Sequence, residues 1–263
     1  MSKKTLYGQT HTRIVTPKSG VRVCGWVITP EQKKEIKRLS KLSLGKLRRE
    51  VRASSEYHWF LKDSKHKAIR IVIANASTKY HEQFVVDTAW KVRAAVARAS
   101  TKYHEQLKDD NIWEVRATAA RRSAKYHEQL KDDSAWEVRV AVAETSTTYH
   151  DTFVTDAEWR IRRVVARTST KYHEQLMADE AWRVRLVVAR ASMTYHHILK
   201  DDAVYRVRAA VARASTRYHE QLKDDTDWTV RRVVASASTT YHDVLKDDED
   251  WMVREAVRNY KEE

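Results

Sequence analysis

Several residue types recur in this sequence where they could do chemistry, and the most regular are histidines. Tyr-His dipeptides begin at Tyr57, Tyr80, Tyr103, Tyr126, Tyr149, Tyr172, Tyr195, Tyr218 and Tyr241, every step being 23 residues. A histidine column invites metal ligation or general acid–base work. The spacing argues against a shared metal. Equivalent positions of stacked helical units lie about 9–10 Å apart, the packing distance of helices. Zinc holds its ligand nitrogens at about 2 Å, so consecutive histidines cannot share an ion. Nor does Tyr-His-Glu-Gln continue into H-E-x-x-H, because the residue four after His81 is Val85. The column therefore reads as structural hydrogen bonding between units. His196-His197 is a local doublet and carries little by itself.

Asp and Arg recur in the same phase. Arg70, Arg93, Arg116, Arg139, Arg162, Arg185, Arg208, Arg231 and Arg254 fill one position in all nine units. Asp87, Asp110, Asp133, Asp156, Asp179, Asp202, Asp225 and Asp248 fill another in eight, with Ser64 in the first. Charges repeating on a helical phase predict an ion-pair ladder, in which each Asp also caps its own helix. Ser64 is tolerable on that reading, since the first unit has no full repeat before it. A third column holds Trp90, Trp113, Trp136, Trp159, Trp182, Tyr205, Trp228 and Trp251. It reads as packing, with a base-stacking platform as the alternative if the ring faces are exposed.

Residues that vary between units are better placed to read a partner. Repeats five to seven carry Arg160, Arg163, Arg167, Arg183, Arg190, Arg206 and Arg213 outside the expected core, where repeat four has Glu137 and Glu144. Lys33, Lys34, Lys37, Arg38 and Lys41 form a second basic group nearer the N-terminus. Such clusters suit phosphates, and arginine suits them best because its planar fork binds bidentately. A solvated charged face is the plain alternative.

The elements that position these residues follow from composition. The chain has 263 residues, 42% of them hydrophobic, with a formal net charge of +14. Its pI is near 9.7. All four glycines and both prolines precede residue 56. Residues 1–56 hold 14 Lys/Arg against 4 Asp/Glu, so +10 of the charge sits in a small N-terminal module. Within it, Arg13–Thr29 has β-branched runs around Pro17-Lys18-Ser19-Gly20, which predicts a hairpin over 13–29. Thr29-Pro30-Glu31 is a helix start, giving a helix over about 30–42, and Leu44, Leu47 and Val51 predict another over 44–52. Residues 57–263 form nine tandem 23-residue units without Gly or Pro.

One unit, Tyr126–Thr148, shows the plan. Serine before the unit caps a short helix carrying Tyr126 and Leu130, and Asp133 caps a longer one with Ala135, Val138 and Val142 on one face. No stretch alternates with period two. A unit this small cannot bury its own apolar stripe and must stack on its neighbours. The expected fold is all-α, a right-handed α-solenoid behind a basic N-terminal cap.

Asp, five residues and then Arg inside V-R-x-x-V-A resembles the second-helix signature of HEAT repeats, and the whole unit, L-x-x-D-x-x-x-x-V-R-x-x-V-A with its short helix, resembles the leucine-rich repeat variant family. The resemblance covers 57–263 and implies short, 3₁₀-like helices alternating with α-helices in a superhelix. The family's unit is usually one residue longer. Its founding member carries an iron–sulfur cluster on N-terminal cysteines, which Cys24 alone cannot supply. The resemblance also implies that the second helix lines the concave side, making the arginine strip a basic concave surface.

The first reading of function is a non-enzymatic scaffold that binds a polyanion, nucleic acid foremost, through backbone phosphates. The alternative is a protein-interaction scaffold for an acidic partner. A third reading, a DNA-repair glycosylase, rests only on the existence of HEAT-like glycosylases; no nucleophile–base set, P-loop or metal motif supports it. No metal or cofactor is expected. A lone Cys24, no signal-peptide core and no apolar run of about 18 residues lead to a cytoplasmic expectation, with a monomer as default.

Overall fold

The computed structural model describes residues 29–260 and the strands β1 (Thr5–Leu6) and β2 (Gln9–Thr10), which pair antiparallel with Thr5 opposite Thr10. The hairpin expected over 13–29 lies outside the described residues except for Thr29. From Pro30 onward every described element is helical. The chain divides into two compact units, Met1–Phe84 and Val85–Glu263.

In the first unit, helix α1 spans Pro30–Ser40 behind a capping box. The Thr29 hydroxyl accepts the Gln32 N–H at 3.2 Å, and the Gln32 side chain accepts the Thr29 N–H at 3.0 Å. These bonds satisfy amides that helix geometry leaves unpaired, and Pro30 at the first helical position lacks an amide to satisfy. Helix α2 spans Leu44–Ala53 and buries Leu47 and Val51. Leu44, expected on its apolar face, is exposed. Repeat one follows with a short helix, His58–Leu61, and a long one, Lys67–Ala76, against which α2 packs.

The second unit is an α-solenoid. Each long helix from Trp90–Ala99 to Trp251–Arg258 packs against the long helix of the next repeat. The preceding short segment is a 3₁₀ turn leading into one turn of α-helix, as in Thr101–Tyr103 and His104–Leu107, except that a plain turn precedes His150–Phe153. Valines at the third and seventh positions and alanine at the eighth form the core. Val138, Val142 and Ala143 are buried, with Leu130 from the short helix beside them.

Helices this short must stop often, and after residue 56 they do so without Gly or Pro. A serine in extended conformation ends every long helix in the second unit except the last, Trp251–Arg258, which ends at Asn259. Ser100, at φ −151° and ψ 135°, still donates its N–H to Val96 O. Its hydroxyl then accepts the N–H of Lys102 at 3.3 Å, opening the 3₁₀ turn. One residue thus closes one helix and caps the next. Ser77 and Ser215 do the same, Ser238 makes only the side-chain bond to the Thr240 N–H, and Ser123, Ser169 and Ser192 take the conformation without the side-chain bond.

The ladder aspartates are displaced from the expected cap. The long helix of repeat four begins at Trp136, and its N-cap is Ala135, so Asp133 stands two residues earlier. Its Oδ1 accepts the Ala135 N–H at 2.8 Å, a local turn that aims the chain into the helix. An aspartate at the N-cap itself would point at its own helix. Two residues earlier, it can fold this turn and still face the repeat behind.

Candidate functional site

The repeated ion pairs are built identically through the second unit. Arg116 Nε and Nη2 donate to the two oxygens of Asp133, both at 2.7 Å, while Nη1 donates to Asp110 O at 2.7 Å. Each arginine therefore joins the carbonyl of its own repeat's aspartate to the carboxylate of the next. The contact recurs from Arg93–Asp110 through Arg139–Asp156, Arg162–Asp179 and Arg185–Asp202 to Arg231–Asp248. Arg162 and Asp179 are 8% and 5% exposed, so they are closed to a partner. Hydrogen bonding to Asp179 raises the Arg162 pKa and outweighs the opposing effect of burial. Burial disfavours the Asp248 carboxylate, yet Arg231, the Asp250 amide and Arg254 together hold its pKa below the ordinary value. In repeat one, Arg70 Nη1 donates to the Ser64 carbonyl.

The histidines are committed as well. His127 Nε2 lies 2.8 Å from Ala120 O, and His173 Nε2 lies 2.8 Å from Ala166 O. A carbonyl only accepts, so each Nε2 donates a proton to it. The Nδ1 atoms of His104, His127, His150, His173, His196 and His219 are buried and accept no hydrogen bond. The rings of His127, His150 and His173 meet the tyrosine of the following repeat edge-on, and Tyr260 takes that place against His242. His197, the other half of the doublet, is exposed and bonds the Thr194 carbonyl through Nδ1.

The variable arginines lie on the opposite, exposed side of the long helices, at their second, fifth and ninth positions. They do not stand apart from the tryptophan column. The Arg160 guanidinium sits 4.7 Å from the ring centres of both Trp136 and Trp159. Arg183 lies 5.1 Å from Trp159 and 4.6 Å from Trp182. Arg206 lies 5.4 Å from Trp182 and 4.7 Å from Tyr205. Rings and guanidinium groups alternate across three repeats, each cation over the electron-rich ring faces. The tryptophans are thus neither pure core nor an open platform here, because arginines cover their faces. Sequence reasoning missed this, although Trp-Arg at 159–160 and 182–183 and Tyr-Arg at 205–206 share one phase.

The strip is not uniformly free. Arg160 is 42% exposed and pairs with Glu158 at 2.7 Å. Arg167 pairs with Glu144 at 3.4 Å. Arg163 is exposed, 5.4 Å from the Trp159 ring, and Arg190 and Arg213 are exposed without an ion pair among the described residues. In the first unit, Lys33, Lys34 and Lys37 on α1 and Lys41 at its C-terminal cap are exposed. Arg38 is tied to Glu35 and to Glu50.

Among solved structures, the chain matches a leucine-rich repeat variant described as having a novel repetitive protein structural motif. The TM-score is 0.66 at 24% sequence identity, over 75% of this chain and 87% of that one. This chain has the leucine-rich repeat variant fold. No protein-family model matches the sequence, and no curated protein does. At that identity the likeness concerns the leucine-rich repeat variant backbone alone, and the exposed arginines must be judged on their own chemistry. No described helix is long and apolar enough to cross a membrane.

Proposed function

We propose that this protein is a non-enzymatic scaffold that binds a polyanion, nucleic acid foremost, on the exposed face of the long helices in repeats five to seven. The observation that carries the reading is the alternating stack of Arg160, Arg183 and Arg206 with aromatic rings. Stacking holds a guanidinium plane in place while leaving edge N–H groups for an oxygen ligand, which lowers the ordering cost of binding. Arg163, Arg190 and Arg213 add exposed charge beside it. Because arginines cover the ring faces, the contact is to phosphates and not to stacked bases.

The test is a salt titration against single- and double-stranded DNA and RNA. Log affinity falls linearly with log salt, with a slope of about −0.7 to −0.9 per phosphate neutralised. Arg163, Arg190 and Arg213 are the residues to reverse to Glu, since Arg160 and Arg167 have structural partners whose loss would confuse the result. The triple variant keeps its helicity and binds with a slope flatter by about two to three units. No binding by the wild type at low salt overturns the reading, and an acidic protein then becomes the partner class to test.

A further inference from the structure

The same exposed face changes character in repeats three and four. The second helix position, arginine in repeats five to seven, is Glu114 and Glu137 there. Lys91 Nζ lies 5.3 Å from the Trp90 ring, but among the described residues no cation is found over both Trp90 and Trp113, or over both Trp113 and Trp136, as Arg160 is over Trp136 and Trp159. An open groove of about 370 Å³ runs along these gaps, lined by Trp90, Trp113, Trp136, Glu114 and Glu137 among others. Trp113 is 38% exposed, and Trp136 is covered on one side by Arg160. A carboxylate gains nothing over the negative face of an indole, so these glutamates cannot close the gaps as arginine does.

We propose that the two gaps take arginine side chains of a partner protein. Each guanidinium would lie between indoles as Arg160 does and pair with Glu114 or Glu137. The chain's own stack is the template, and the charge at the second position complements a cation in these repeats alone. Arg98 and Arg121 also line the groove. They stand seven residues further along their helices, about 10 Å away, and Arg121 is paired with Glu144 at 3.7 Å. The gaps recur once per repeat, about 8–10 Å apart. A polyproline-II segment advances about 3.1 Å per residue with three residues per turn, so arginines at i and i+3 match both the distance and the side. The partner is therefore an extended, proline-rich segment with arginines three apart. This site lies on the same face in the preceding repeats and shares Trp136 with the Arg160 stack, but the argument for it does not rest on the polyanion reading.

The test uses the full chain and a synthetic proline-rich peptide with two arginines at i and i+3, read by calorimetry and tryptophan fluorescence. The arginine peptide binds one to one and changes the fluorescence, and its citrulline counterpart, isosteric but uncharged, binds at least tenfold more weakly. Glu114→Arg with Glu137→Arg fills the gaps from within and abolishes peptide binding, while DNA affinity does not fall. If that variant unfolds, Glu114→Gln with Glu137→Gln removes the charge alone and weakens the peptide at least tenfold. Absence of peptide binding to the wild type, equal binding of the citrulline peptide, or undiminished binding by the substituted proteins overturns the proposal.

Discussion

At Arg162 all five guanidinium donors have acceptors. Nε and Nη2 reach Asp179 at 2.7 and 2.9 Å, and Nη2 also reaches Glu180 at 3.0 Å. Nη1 reaches the carbonyls of Asp156 and Ala157 at 2.7 and 3.2 Å. Lysine supplies the charge but not the fork. Arg162→Lys is therefore expected to cost about 1–3 kcal/mol, close to the loss from Asp179→Ala, which strands the guanidinium and frees the Ala181 amide. Urea unfolding measures both, and a neutral Arg162→Lys would show that charge alone suffices. Asp248 adds a pH dependence. Its folded-state pKa is depressed, so its stabilisation is full above the unfolded carboxylate value near about 4. It is lost as pH falls through the lower folded value. Asp248→Asn should remove that part of the acid sensitivity, seen as a smaller drop in Tm between neutral pH and pH 3.

Each long helix presents three functions on separate faces. Valine and alanine form the core, the arginine fork lies at one edge, and the variable positions face solvent. The solvent face differs most between repeats, because the other two must match the repeat behind and the repeat ahead; core changes such as Ile161 for valine and Ala119 for valine stay apolar. Stacking makes even this face partly structural. Removing Arg183 uncovers the ring faces of Trp159 and Trp182 and forfeits about 0.5–1 kcal/mol. Arg183→Ala should lower Tm modestly and raise acrylamide quenching of tryptophan fluorescence. Unchanged quenching would mean that the stack does not persist in solution.

For the molecule as a whole, the consequence of a strict 23-residue phase is that repeats are interchangeable in length. Stability in such an array is a sum of units and nearest-neighbour contacts. Deleting residues 126–148 removes repeat four and sets Arg160 against Trp113 in place of Trp136, with the ladder resuming as Arg116 to Asp156. We expect the helical content per residue by circular dichroism to be retained and the unfolding midpoint to fall by a few degrees. Collapse of the helical signal would show that the repeats are not independent in the way the geometry implies.

The repeat, its two helices and its core are legible in the sequence because they depend on periodicity. Tyr-His every 23 residues fixes the phase, and Val138 and Val142 at i and i+4 mark one buried helical face. The Thr29 cap is likewise a local matter of adjacent residues. What tertiary structure decided is which neighbour each polar group meets. The sequence aligns Asp133 with Arg139 inside one repeat, yet the side-chain pair is Arg116 with Asp133, and Arg139 takes only the Asp133 carbonyl. That choice depends on how far one repeat advances on the next. The fate of the tryptophans was settled in the same way. Whether an indole lies in the core, in the open or beneath an arginine depends on the gap between adjacent helices, a distance that stacking creates and no single repeat contains.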